Sequence, residues 1–217
     1  FLVYRGATFN PTFRVEDNSG IIANLSVKNI PNGVWFNKVN NKDLPRTLIT
    51  NGNYTFSDTV VDQTTPFGTR EAIVSVRDAN GNAKDYKFQY IIADVLLKNS
   101  PESNTGGAKL GDPHRFIATT LNGSTSSDDR YFPTGMTFSW GNNENSETKL
   151  PVTSQTLSKE VIATFPANSR NGGTTADGIT VYAPERITKN ATINVVDNSK
   201  PQATLNGQSP GETATTP

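Results

Sequence analysis

Residues 72–92 read AIVSVRDANGNAKDYKFQYII, and the fold class turns on them. Ala72, Val74 and Val76 alternate with Ile73, Ser75 and Arg77, the period of two that a half-buried strand requires. Asp78-Ala79-Asn80-Gly81-Asn82 follows, a cluster of residues that tolerate positive φ and bond their own backbone in turns. Beyond it Tyr86, Phe88 and Tyr90 share one face, and Lys87 and Gln89 the other. The spacing predicts a β-hairpin, the closing element of a β-sandwich.

Outward from the hairpin the same grammar recurs. Residues 4–15 set Phe9, Phe13 and Val15 at one parity, with Pro11 at an edge or bend. Residues 17–20, Asn32-Gly33 and Asn51-Gly52 are turn signals between strand candidates at 21–28 and 54–61, and Trp35 and Phe36 are expected in the core. Turn signals about every 10 residues, without a helical period, predict a sandwich of roughly seven strands. Residues 93–113 change character, since Asn99 to Gly107 is polar and rich in Gly, Pro and Ser. A first module is therefore expected over 1–94, and a linker or long first loop over 95–113. A second module is expected over 114–200, with 201–217 a linker or the start of another. In the second module strands are predicted at 116–121, 136–140 (MTFSW) and 160–165 (EVIATF), with 179–182 and 191–196 as a closing hairpin.

Composition narrows the functional classes. The 217 residues carry 20 Lys plus Arg and 20 Asp plus Glu, a net charge of zero. No global field steers nucleic acid or an anionic membrane, so neither is an expected partner. There is no cysteine, which removes thiol nucleophiles, thiolate zinc sites and iron–sulfur clusters. No apolar run reaches the roughly 18 to 20 residues that span a bilayer. A chain opening on FLVYRGATF and closing on GQSPGETATTP reads as a piece of a longer protein, without a visible signal peptide.

In the first module, residues 30–37 (IPNGVWFN), 65–82 (TPFGTREAIVSVRDANGN) and 15–20 (VEDNSG) resemble the turn and strand pattern of bacterial Ig-like and cadherin-like modules. In the second, residues 161–166 (VIATFP) and Asp197-Asn198-Ser199-Lys200-Pro201 are similar to stalk repeats of Gram-positive, staphylococcal-type, giant wall-anchored proteins that bind extracellular matrix. That resemblance implies an all-β fold of two tandem Ig-like β-sandwich modules, extracellular on a bacterial cell wall. It implies a non-enzymatic role in display or adhesion, with a host matrix protein or glycan and the neighbouring modules of the same chain as partners. A carbohydrate- or cell-wall-binding accessory module is the alternative, and a hydrolase domain a third.

Each alternative has candidate residues. Glu16, Asp17, Asp62 and Asp94 fall at predicted strand ends and would supply hard oxygen ligands for calcium if they met at one pole. No other cofactor is expected. Tyr131 and Phe132, behind the polar run at 123–130, are candidates for a loop-borne ligand contact, whereas Trp35 and Trp140 read as core. His114, the one histidine, lacks a nucleophile elbow and reads as a surface residue. Asp128 and Asp129 are adjacent and would face opposite ways on a strand, which argues against a paired-carboxylate hydrolase. Lys87 is expected in solvent, outside any Lys–Asn cross-link. Leu44-Pro45-Arg46-Thr47 and Leu150-Pro151-Val152-Thr153 lack the glycine that a sortase signal needs next.

Overall fold

The computed structural model describes residues 1–30, 32–100, 108–109, 113–120, 131–141, 145–149, 155–174 and 178–196. Asp128, Asp129, the run at 123–130, Leu150-Pro151-Val152-Thr153, the junction at 197–201 and the segment 201–217 lie outside the described residues. The first strands are β1 (Leu2–Tyr4), β2 (Thr12–Val15), β3 (Ile21–Lys28), β4 (Lys38–Val39), β5 (Lys42–Asp43), β6 (Arg46–Thr50), β7 (Gly52–Ser57), β8 (Gly68–Asp78) and β9 (Ala83–Ala93). They are followed by β10 (Val95–Ser100), β11 (Ala108–Lys109), β12 (Pro113–Thr120), β13 (Thr137–Phe138), β14 (Asn145–Lys149), β15 (Gln155–Thr164), β16 (Gly173–Thr174), β17 (Thr180–Tyr182) and β18 (Arg186–Val196). No α-helix occurs among the described residues. The protein is all-β.

The β8–β9 hairpin forms as its alternation requires, in register from Gly68↔Ile92 to Arg77↔Ala83. Asp78 closes it: its N–H donates to the Asn82 carbonyl at 2.9 Å, and its carboxylate accepts the Asn82 N–H at 2.8 Å. The hairpin sits within a sheet of order β16-β17-β1-β9-β8-β3-β6, and a second sheet, β2-β7-β4-β5, faces part of it. Between them lies an aromatic core in which Phe36 meets Phe56 at 4.8 Å and Phe9 meets Tyr90 at 5.4 Å. Full burial of each such ring contributes about 1.5–3 kcal/mol. Further along the chain, the sheets β10-β12-β14 and β11-β18-β15-β13 enclose a second core around Val161, Ala163 and Phe165.

β1 joins the two cores. It pairs in parallel with β9 on one side (Leu2↔Ile91) and with β17 on the other (Leu2↔Val181). All three of its residues are fully buried. Because side chains alternate across a strand, Val3, Tyr90, Ile92 and Tyr182 pack into the first core. Leu2, Tyr4, Ile91, Ala93 and Val181 pack into the second. The patch β17-β1-β9 is thus covered on both faces, as parallel strands usually are.

Four expectations are corrected by this arrangement. Residues 179–182 and 191–196 do not form a hairpin: β17 pairs with β1 and β16, while β18 pairs with β15 and β11. The chain changes sheet through Ala183-Pro184-Glu185, where the Ala183 N–H donates to Ser169 and the Glu185 carbonyl accepts from Phe165. The aromatic run at 136–140 is strand only at Thr137–Phe138, because Ser139 and Trp140 form a tight turn closed by two Phe138–Gly141 backbone bonds of 2.8 Å. Val95–Ser100, expected as the head of a linker or loop, is strand β10 against β12. Trp35 is 57% exposed: Val34 and Phe36 on either side point into the core, so strand parity sends the indole out.

Candidate functional site

Where the cores meet, Asp94 follows directly on β9 and is buried. Its Oδ2 lies 2.6 Å from Lys189 Nζ and 3.6 Å from Arg5 Nη1, and its Oδ1 accepts the Val95 N–H at 2.8 Å. Arg5 also donates to the Thr65 carbonyl and lies 3.8 Å over the Phe67 ring. Tyr4, beside this group, donates to the Tyr131 carbonyl at 2.9 Å. Burial, and then the charge of Asp94, push its phenol well above the usual range. Arg5 comes from the end of β1, Asp94 from the end of β9 and Lys189 from β18, so the cluster ties both cores together. One signal for it was present in the sequence: Lys189 interrupts the apolar parity of Ile187, Ala191 and Ile193. A cation on a core-facing position requires a buried anion.

The four acidic candidates separate into two pairs. Glu16 and Asp17 precede β3, whose Ile22 lies opposite Asp78, whereas Asp94 follows the β9 end that lies opposite Gly68. The 11 residues of β8 separate these poles by about 35 Å. Asp62 belongs to the Asp94 pole, since Gly6 bonds Val61 and Arg5 bonds Ala93. There its Oδ1 accepts from the Thr64 N–H, the Thr64 hydroxyl and the Thr65 hydroxyl at 2.8, 2.7 and 3.1 Å. The Thr64 hydroxyl above all holds that carboxyl below its ordinary pKa. Gly33 packs against this turn at φ +84°, where a Cβ would lie 2.3 Å from Thr65 Oγ1, so only glycine fits. At the opposite pole Glu16 and Asp17 share a shallow depression of about 270 Å³ with Asp78 and Asn82. Glu16 is bound by Arg14 and Asp17 by Ser19, while the Asn82 amide above all holds the Asp78 carboxyl low. Among the described residues no group of three or more carboxylates or histidines gathers to hold a metal. Calcium through Glu16, Asp17, Asp62 and Asp94 together would need a convergence that the sandwich does not make.

Tyr131 and Phe132 are half-buried against the second core, Phe132 edge-on to Phe138 at 5.3 Å. Trp140 is half-buried too, 6.2 Å from Phe138. His114, expected at the surface, is buried in β12 and meets Phe116 at 5.1 Å. His114, Phe116 and Ala118 share the inward parity of that strand, which the sequence already carried. Burial holds the imidazole below its ordinary pKa. Lys87 is exposed, 3.4 Å from Glu71. The largest outward aromatic is Trp35, which stands opposite exposed Val60, with exposed Thr8 next in the row through the bridges Val34↔Val61 and Thr8↔Val60.

No known family pattern matches the chain, and no curated protein matches it. Several solved structures are similar to it. The D00-D0 domain of intimin covers 89% of this chain and 95% of its own length, at 8% identity and a TM-score of 0.37. The sialic acid binding region of a Streptococcus sanguinis SK1 adhesin, bound to 3'sLn, covers 90% of this chain and 74% of its own, at 12% identity and 0.32. A C-terminal 282-residue fragment of intimin, in complex with the intimin-binding domain of its translocated receptor, covers 87% and 57%, at 11% identity and 0.31. Superpositions of this looseness assign neither a family nor a ligand site. No helix among the described residues is long and apolar enough to cross a membrane.

Proposed function

We propose that this chain is a non-enzymatic display and adhesion unit of a bacterial surface protein, carried outside the cell on a Gram-positive wall and contacting host extracellular matrix. The observation behind this reading is the β17-β1-β9 patch buried on both faces, reinforced by the Arg5–Asp94–Lys189 cluster. A unit that holds a distal surface away from a wall needs resistance to bending, and strands shared between two cores supply it. A polar composition, with 34% hydrophobic residues, suits a surface displayed in solvent. The test is binding of the purified chain to immobilised fibronectin, fibrinogen and collagen, with calcium and with chelator. Saturable binding to a matrix protein is expected. Absence of binding in every condition overturns the matrix-contact part and leaves a spacer.

A second reading, glycan binding, is favoured by Trp35, whose outward indole beside Val60 and Thr8 offers a flat platform for a sugar ring. A glycan array that includes 3'sLn, run with Trp35→Ala, Tyr131→Ala and Phe132→Ala, tests it. Loss of a sugar signal with Trp35→Ala supports this reading, and no signal from the unmodified chain removes it.

A further inference from the structure

The outer half of β9 has an open edge. β8 pairs along its whole length on one side, but β1 meets only Ile91, Ile92 and Ala93 on the other. The Asp78–Asn82 bond fixes which residues point their backbone toward β8, and the Ile91 N–H to Phe1 carbonyl bond confirms the alternation on the far side. The N–H and C=O groups of Ala83, Asp85, Lys87 and Gln89 therefore point outward, and no described strand receives them. Residues 83–87 are all exposed, and so is Gln89. Beside this edge runs an apolar groove of about 210 Å³, lined by Phe13, Phe56, Val74, Tyr86 and Phe88 among others.

We propose that this edge is a self-association surface, on which a second copy of the chain lays its own β9 antiparallel in the register centred on Tyr86. The sequence of the edge is complementary to itself in that register alone. Asp85 falls opposite Lys87 of the other copy, and Lys87 opposite its Asp85, while Ala83 falls opposite Gln89. All four residues are outward-bonding, so each opposed pair exchanges both backbone bonds. Asp85 is prepared for the contact: Ser75 and Lys28 both engage its Oδ1, and Oδ2 accepts from no described residue. Among the described residues Lys87 makes one ion pair, the exposed pair with Glu71, which is weak enough to be exchanged. On the groove side Tyr86 meets its own counterpart, and Lys84, which already covers a Tyr86 ring at 5.2 Å, lies opposite Phe88. Cross-strand aromatic and opposite-charge pairs of this kind stabilise antiparallel sheets. Exposed edge strands otherwise tend to carry lysine to repel pairing, and here the neighbouring aspartate converts that repulsion into attraction. The inference is independent of the matrix-binding reading.

Sedimentation of the 217-residue chain over a concentration series is expected to show a monomer–dimer equilibrium that weakens with salt. Asp85→Lys places like charges opposite each other, as does Lys87→Asp, and each alone is expected to weaken association about tenfold. Mixed in equal amounts, the two variants regain complementary charges and are expected to form a heterodimer near the original affinity. That recovery cannot come from a change in either variant's folding. A chain that remains monomeric throughout, a dimer indifferent to both reversals, or a mixture that fails to recover would each overturn the proposal.

Discussion

Asp94 is the residue on which the junction depends. Its carboxylate is buried, and the two cations that hold it come from the end of the shared strand β1 and from β18 of the second core. Asp94→Ala leaves Arg5 and Lys189 side by side, partly shielded from water and without an anion, and should destabilise the fold by about 3 kcal/mol in urea denaturation. A loss under about 1 kcal/mol would mean that water compensates the cluster. His114 makes a second residue-scale case. Burial lowers its folded pKa, so the unfolded chain binds more protons than the folded one once pH drops below about 6.5. Stability should therefore decline from pH 7 toward the folded pKa, where the loss is complete. His114→Phe keeps the ring contact with Phe116 and removes the titration, so its stability should be flatter from pH 7.5 to 5. Parallel profiles for the two proteins would exclude His114 as the source.

At the scale of elements, strand parity decides which aromatic residues matter. Phe36→Ala empties a site between Phe9 and Phe56 and should cost about 3–5 kcal/mol, while Trp35→Ala one residue earlier should stay within about 0.5 kcal/mol. Comparable losses from both would show that the indole is buried in solution. This difference was not read from the sequence, which placed both Trp35 and Phe36 in the core. The β8–β9 hairpin could be read because its alternation, its Asp–Asn turn and its pairing are all local. The placement of β17 could not, because Thr180–Tyr182 has the same alternation whether its partner is β18 nearby or β1 at the far end of the chain. Residues 95–100 were obscured by the polar stretch that follows them. Of the Arg5–Asp94–Lys189 cluster the sequence reading singled out Asp94 alone, because which strand ends share a pole depends on strand direction, which periodicity does not record.

For the whole molecule, the consequence of the shared strands is cooperativity. Two sandwiches joined by a tether would unfold separately, each with its own enthalpy and midpoint. Here Tyr4 packs against Phe165 at 4.7 Å in the second core while its neighbour Val3 fills the first, so neither core can open without exposing β1. Calorimetry should therefore show one transition whose calorimetric and van't Hoff enthalpies agree. Tyr4→Ala tests the same coupling from within. It should remove about 3–5 kcal/mol, and the residues that follow the loss decide the matter. If amide exchange accelerates in β8 and β3 as well as in β15 and β18, the destabilisation has crossed the layer and the molecule unfolds as one body. If only β15 and β18 respond, or the heat capacity trace splits in two, the cores are independent and the stiffness attributed to the join is lost.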